Sequence, residues 1–388
     1  MKIGVDASCW SNKRGFGRFT RELLEAVLAE DTENEYLFFV DRETAETDEF
    51  PTRVQKIIAD TKFSPTQAAS ADGSRSAKDL WAMSRAVLNH KIDIFFSPAV
   101  YSYFPIFNRT KIIVTLHDVI ADHHPELIFP NKKSHLFWRL KQNIAIRQAT
   151  LILTVSENAK EQIIEYFNLP ESRLRVITEA ARAVFTVLPH DEQMDETLQR
   201  HHLKTDEKFL LYVGGISPHK NLNTLIDALN RLDDIKLILV GDYKDDPFFS
   251  AYPALKKQVE ELGLTDKITF AGFVEDVDLA YLYNAATLVV LPSLEEGFGL
   301  PAVEAMACGT PVVASNRGSL PEVLGNAGVF FEPLDVDNMT AVLKEILSDD
   351  VRRAEMKQIG LNRSKDFMWK KAANELLAIF KSVASAKR

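Results

Sequence analysis

Cysteine is scarce: Cys9 and Cys308 are the two in 388 residues. They lie too far apart to suggest metal ligands, so reduced core thiols in a cytoplasmic protein are expected. A surplus of positive charge is also missing. Lys and Arg number 46 against 55 Asp and Glu, for a formal charge of −9 and a pI near 5.6, which argues against a nucleic-acid partner with its usual basic footprint. No apolar run approaches the ~18 residues of a spanning helix. The opening "MKIGVDASCW" shows no basic stretch followed by an apolar one, so no export leader is expected. Repeats and low-complexity tracts are lacking too.

What the chain does have is alternation. Apolar, β-branched runs at 2–7, 36–40, 92–97, 111–116 and 150–155 read as strands buried on both faces. Helical periodicity comes between them, as at 18–28 and at 157–167, the latter with Ser156 as N-cap. A polar, weakly periodic stretch at 181–208 reads as a linker. A second alternation follows, with strands at 209–213, 236–240, 268–271, 287–291, 311–314 and 329–331. The expected class is therefore α/β, with two Rossmann-like parallel-sheet domains facing a cleft, and ligands beyond the carboxyl ends of the strands. The small, polar stretch 61–79 reads as a loop. The tail "FMWKKAANELLAIFKSV" places Trp369, Ala373, Leu376, Leu377 and Phe380 on one helical stripe that must dock somewhere.

The most informative segment is "LPSLEEGFGLPAVEAMACGTPVVAS", residues 291–315. A strand gives way to a turn containing Gly297 and Gly299, and Pro301 stands where a helix start tolerates proline. The N–H groups of Gly299, Leu300 and their neighbours are then expected to point outward as an anion site. Glu304 falls about one turn into the helix and Glu296 lies before the turn. Carboxylates suit sugar hydroxyls better than phosphate, so the layout fits a sugar nucleotide: a diphosphate flanked by a hexose and a ribose. The plainer alternative is that Glu304 caps the helix and Glu296 lies in solvent.

"EGFGLPAVE", with its Glu, seven residues, Glu spacing, and "ACGTPVVASNRGSLPEV" resemble the retaining GT-B glycosyltransferases of family 4, and the whole chain can be laid along that family in order. The resemblance implies that Glu296 contacts hydroxyls of the transferred hexose and Glu304 the ribose, while the backbone of Phe298, Gly299 and Leu300 holds the diphosphate. In "FAGFVED" it implies that the backbone at Val274 reads the base. In "LYVGGISPHKNL" it gives Lys220 the leaving diphosphate, where charge develops as the glycosidic bond breaks; the plain alternative is an exposed helix-start lysine. Many members carry an arginine in this loop. Here Gly215 and His219 occupy the corresponding positions. Domains are expected at 1–185 plus 368–388, binding the acceptor, and at 186–367, binding the nucleotide sugar. The tail helix is expected to cross back to the first domain, and the cleft to close about the two chain crossings.

In the first domain "SNKRGFGRFTREL" resembles the family's glycine-rich loop, with Gly15 and Gly17 letting backbone approach donor and acceptor; an ordinary tight turn is the plain alternative. "VTLHDVIADHHPE" places His117 at the carboxyl end of a strand, where the resemblance has it face the transferred sugar. Asp118 reads as a turn or capping residue, and His123 and His124 as structural. The implied activity is a retaining hexosyl transfer by front-face substitution, from a donor of the GDP-mannose or UDP-glucose/GlcNAc type to a hydroxyl of a glycan or lipid-linked acceptor. No cofactor and no metal are expected. Asp276/Asp278 and Asp335/Asp337 form Asp-x-Asp strings, but at helix starts, where capping explains them.

Two rival functions remain. A dinucleotide-dependent oxidoreductase is suggested by "GFG" and by Asp41 at the end of a strand, although the third glycine of that fingerprint is missing. A non-catalytic sugar-nucleotide-binding regulator is the other. Finally, "HHPELIFPNKKSHLFWRLKQ" mixes Lys132, Lys133, Arg139 and Lys141 with Phe129, Leu136, Phe137 and Trp138. A half-buried helix with a solvated basic face is the preferred reading, and peripheral contact with an anionic membrane or a lipid-linked acceptor is the alternative.

Overall fold

A computed structural model of the chain describes residues 1–12, 15–47, 50–62, 76–129, 131–243 and 250–386. Most of the loop expected at 61–79 lies outside the described residues, as do Lys13 and Arg14 of the glycine-rich segment. The chain folds as two compact units, Met1–Glu179 with Trp369–Arg388, and Ala180–Met368.

Among the described residues the first unit carries seven parallel strands: β1 (Lys2–Asp6), β2 (Glu35–Asp41), β3 (Val54–Ala59), β4 (Ile94–Ser97), β5 (Lys111–Thr115), β6 (Leu151–Thr154) and β7 (Leu174–Val176). They pair in the order β3-β2-β1-β4-β5-β6-β7. Central strands such as β4, "IFFS", are buried along their whole length, as expected when helices cover both faces of a parallel sheet. The helix Gly15–Glu30 buries Phe19, Leu23, Leu24 and Val27. Against it packs the last helix, Trp369–Ser385, which buries Ala372, Ala373, Leu376, Phe380 and Val383. The tail stripe is thus turned slightly from the expected one, with Trp369 and Leu377 at its margin.

Among its described residues the second unit carries six parallel strands: β8 (Phe209–Val213), β9 (Lys236–Val240), β10 (Ile268–Gly272), β11 (Leu288–Leu291), β12 (Val312–Ser315) and β13 (Gly328–Phe331), in the order β10-β9-β8-β11-β12-β13. Both sheets therefore reverse their winding between the first and fourth strand, the doubly wound arrangement that leaves a crevice beyond the carboxyl ends at the reversal. Part of the expected linker is ordered as the helix Glu192–Arg200. Asp191 caps it by accepting from the Met194 N–H at 2.9 Å, and Met194 and Leu198 are buried against the helix Asp276–Ala285.

Candidate active site

In the second unit the winding reverses between β8 and β11, so the loops that leave these two strands flank the crevice. The loop after β8 runs through Gly215 into the short turn Pro218–Lys220. A side chain at Gly215 would meet nothing, which leaves its backbone open to approach. The loop after β11 carries Ser293 and Glu296. Lys220 Nζ donates to Glu296 Oε1 at 2.7 Å, and Ser293 Oγ donates to the same oxygen at 2.6 Å. The two loops are pinned through their backbones as well, because the Leu294 N–H donates to the His219 carbonyl at 2.8 Å. Asn221, buried, donates from its amide to the carbonyls of Pro292 at 3.0 Å and Pro333 at 2.7 Å, and accepts from Thr224 Oγ1 at 2.7 Å. Its left-handed φ of 56° is a conformation asparagine tolerates better than most residues. Lys220 and Glu296 are thus held half-buried by groups whose own geometry is fixed.

After Glu296 the chain enters the helix Leu300–Ala307, one residue before the expected start at Pro301. Gly299 is its N-cap with φ 90° and ψ 47°, a left-handed conformation that favours glycine, and a Cβ there would also crowd Leu320 Cδ2 at 2.8 Å. The N–H groups of Phe298, Gly299 and Leu300 donate none of the described hydrogen bonds. Phe298 anchors this stretch by burying its ring edge-on against Phe367, 5.6 Å between centroids. Free N–H groups at the positive end of a helix dipole favour an anion.

Glu304 lies in the second turn of that helix and is 1% exposed. Its Oε2 accepts from Tyr283 Oη at 2.9 Å. It neither caps the helix nor faces solvent, and Glu296 is likewise withdrawn from bulk water. The neighbouring Cys308 thiol is pushed up to about 12, by burial first and then by the charge of Glu304. Val274 follows β10 in the turn before the helix Asp276–Ala285. Its side chain is buried, so what it can offer a ligand is backbone.

The Asp-x-Asp strings are engaged elsewhere, and not all as caps. Arg182 binds Asp276 at 2.5 Å, and Arg200 binds Asp278 at 2.8 and 3.0 Å. Asp335 is the N-cap of the helix Val336–Ser348, accepting from the Asn338 N–H at 2.9 Å, while Asp337 pairs with Arg231. Capping therefore explains one of the four; arginine pairing explains the other three.

In the first unit His117 follows β5 at its carboxyl end. Its Nε2 lies 3.1 Å from the Pro98 carbonyl. Glu179 Oε1 stands 3.6 Å from Nδ1, and Phe19 packs edge-on against the ring at 4.8 Å. Asp118 accepts from the Ile120 N–H at 3.0 Å, the turn role expected of it. Gly15 and Gly17 lie in the first turn of the helix Gly15–Glu30. A Cβ on Gly17 would fall 2.1 Å from the Asn12 carbonyl oxygen, so this glycine lets the preceding loop close onto the helix. Asp41, which imitated a ribose-binding acid, is buried and spent on the next helix: it accepts from the Thr44 N–H at 3.0 Å and Thr44 Oγ1 at 2.7 Å.

Four residues escaped the sequence reading: Asn221, Ser293, Tyr283 and Glu179. Asn221 directly follows Lys220 and opens a helix, and Ser293 follows a proline at a strand end; both positions could have signalled a structural polar group. Tyr283 and Glu179 sit in ordinary helical and alanine-rich surroundings with no local signal.

A family model described as Glycosyl transferases group 1 matches residues 193–363, and one described as Glycosyltransferase Family 4 matches residues 14–180. The O-antigen chain mannosyltransferase B of Escherichia coli is 30% identical over 383 residues, covering 95% of this chain and 96% of that protein. Sucrose-phosphate synthase from Thermosynechococcus elongatus matches the fold with a TM-score of 0.78 at 19% identity, covering 100% of both chains. Anabaena Alr3699/HepE, in complex with UDP and glucose, matches with a TM-score of 0.73 at 20% identity, covering 98% of this chain and 100% of that one.

Proposed function

The chain belongs to the group 1 glycosyltransferases of family 4 and has their GT-B fold, and on that footing we propose that it moves a hexose from a nucleotide-diphosphate sugar to a hydroxyl of a glycan or lipid-linked acceptor, with retention at the anomeric carbon. The observation that carries this reading is the Lys220–Glu296 contact of 2.7 Å at the winding reversal of the second sheet, beside the free N–H groups that open the helix Leu300–Ala307. A diphosphate placed on those N–H groups would lie within reach of Lys220. An ammonium has three donors, so Lys220 can keep Glu296 while binding the departing phosphate.

In this reading the protein contributes position and fixed charge. The ammonium and the helix N-terminus stabilise the negative charge that grows on the leaving diphosphate. Glu296 accepts from hydroxyls of the hexose and Glu304 from the ribose; Val274 reads the base through its backbone. Glu304 must then release or share the hydroxyl of Tyr283. His117 is assigned to the transferred sugar and Gly17 to the donor side of the glycine-rich loop. The departing phosphate oxygen takes the proton of the acceptor hydroxyl, so the reaction proceeds by front-face substitution. Engagement of Asp276, Asp278 and Asp337 by arginines supports a reaction without a metal. A mannosyl donor is the first candidate, given the mannosyltransferase relative, and UDP-glucose the second, given the ligands of the Anabaena neighbour.

The test is a screen of nucleotide sugars against the wild type and Lys220→Ala, with mass detection of donor hydrolysis and transfer. Turnover of one donor, lost in the variant, is the expected result. Binding of a nucleotide sugar without any turnover would instead make the protein a regulator, and binding of NAD alone an oxidoreductase.

A further inference from the structure

The helix Lys132–Gln148 has an apolar face on each side. One side, carrying Trp138, Gln142, Ala145 and Ile146, is buried in the first unit. On the other, Leu136, Phe137 and Leu140 are 65%, 55% and 55% exposed, and their i, i+1, i+4 spacing puts them on one stripe. The preferred sequence reading, a half-buried helix with a solvated basic face, describes the buried side and the exposed cations but does not account for this stripe. Solvation of three adjacent large hydrophobes is unfavourable unless something covers them.

Charge indicates what that is. From Phe129 to Thr150 the sequence has five Lys and Arg and no Asp or Glu, in a chain of formal charge −9. Lys141 is committed inward, donating to the Tyr101 carbonyl at 3.0 Å and lying over the Trp138 ring. Lys132, Lys133, Arg139 and Arg147 lie on the exposed side and join none of the ion pairs among the described residues. We propose that this face docks on an anionic lipid bilayer, with Leu136, Phe137 and Leu140 entering the headgroup boundary and the four cations resting on lipid phosphates. Apolar insertion flanked by cations is how an interfacial helix binds; a protein partner of like charge would gain nothing from the basic rim.

The test is co-sedimentation of the full chain with vesicles of phosphatidylcholine alone or doped with phosphatidylglycerol, at low and high salt. Binding is expected to the doped vesicles only and to weaken with salt. Replacing two cations, K132Q/K133Q, should lower the partition coefficient about thirtyfold, from about 1 kcal/mol per cation near the surface. Leu136→Ser/Phe137→Ser/Leu140→Ser should abolish binding even at low salt, while thermal midpoint and hydrolysis of soluble donor stay near wild-type values, because these side chains are more than half exposed and belong to no part of the candidate site. Equal binding to neutral vesicles, or wild-type binding by either variant, overturns the proposal. So does a concentration-dependent dimer that the triple variant dissolves and that ignores vesicles, which would identify a second copy of this chain as the occupant.

Discussion

Lys220 and Glu296 are 76 residues apart in sequence and 2.7 Å apart in space, joined across the two loops that leave β8 and β11. An ion pair of this kind, partly shielded from water, adds little to folding, because the cost of desolvating both partners offsets most of their attraction. Its placement matters more than its strength. Lys220→Ala should therefore cut turnover on the order of 10² to 10³-fold, the usual loss when one fixed donor to a developing anion is removed. The thermal midpoint should move by only a degree or two. Donor hydrolysis followed by mass, alongside a melting curve, checks both; near-normal turnover in the variant would remove Lys220 from the chemistry.

Asn221 makes the opposite prediction. Its side chain touches no expected ligand, yet it satisfies two buried carbonyls on two other loops. Asn221→Ala leaves both unpaired and forces alanine into a left-handed conformation, which together should cost about 3 kcal/mol or more. Urea unfolding should show a lower midpoint at unchanged slope, and turnover should fall because Lys220 is no longer held. A midpoint equal to wild type would show that the loops are pinned some other way.

Asp122 sets a pH dependence in the first unit. Burial raises its carboxyl pKa above the usual 3.8, and hydrogen bonds from Gln142 and Trp138 offset this only in part. Both donors go to Oδ2, at 2.9 and 3.3 Å, while Oδ1 is buried without a partner. Because the folded state raises the pKa of an acid, the associated stability is present below 3.8 and is lost as pH rises through the folded value. Asp122→Asn removes the charge at constant shape. It should stabilise the protein at neutral pH and make no difference well below 3.8, as read from urea midpoints across that range. A variant that is less stable at neutral pH would mean that the ionised form is favoured by something else.

Legibility followed burial. All six described strands of the second unit stand in the sequence as short apolar runs: β8, β9, β11 and β12 are buried almost throughout, and the half-buried edge strands β10, "ITFAG", and β13, "GVFF", carry no charged residue. In the first unit β3, "VQKIIA", and β7, "LRV", give no such run. They are the two edges of the sheet, where Gln55, Lys56 and Arg175 face water and no apolar run can form. The helix Glu192–Arg200 looks like linker in the sequence because it buries just Met194, Thr197 and Leu198. At the candidate site the spacing of Glu296 and Glu304 was readable since both belong to one turn-and-helix segment. What holds them, Ser293, Asn221 and Tyr283, acts through contacts that chain-local patterns do not encode. Asp41 shows the converse: a residue type in a suggestive place was spent on capping.

The last helix offers a test of how the first unit is completed. Phe380 is fully buried and packs edge-on against Phe96 of β4 at 5.7 Å. Lys111, at the start of β5, donates to the carbonyls of Val383, Ala384 and Ala386 at 2.9, 2.7 and 2.8 Å, placing a cation on the negative end of the helix. The two anchors should differ in magnitude. Phe380→Ala leaves a cavity and should cost about 3 to 5 kcal/mol. Lys111→Met gives up hydrogen bonds that water can largely replace at this exposed end, and should cost about 1 kcal/mol. Amide exchange in residues 369–386 separates the two mechanisms. Lys111→Met should fray only the final turn, whereas Phe380→Ala should speed exchange along the helix and in β4 together. If Lys111→Met proved the more damaging, the helix would be held by its end and not by its apolar stripe, and the docking derived from Ala373, Leu376 and Phe380 would have to be abandoned.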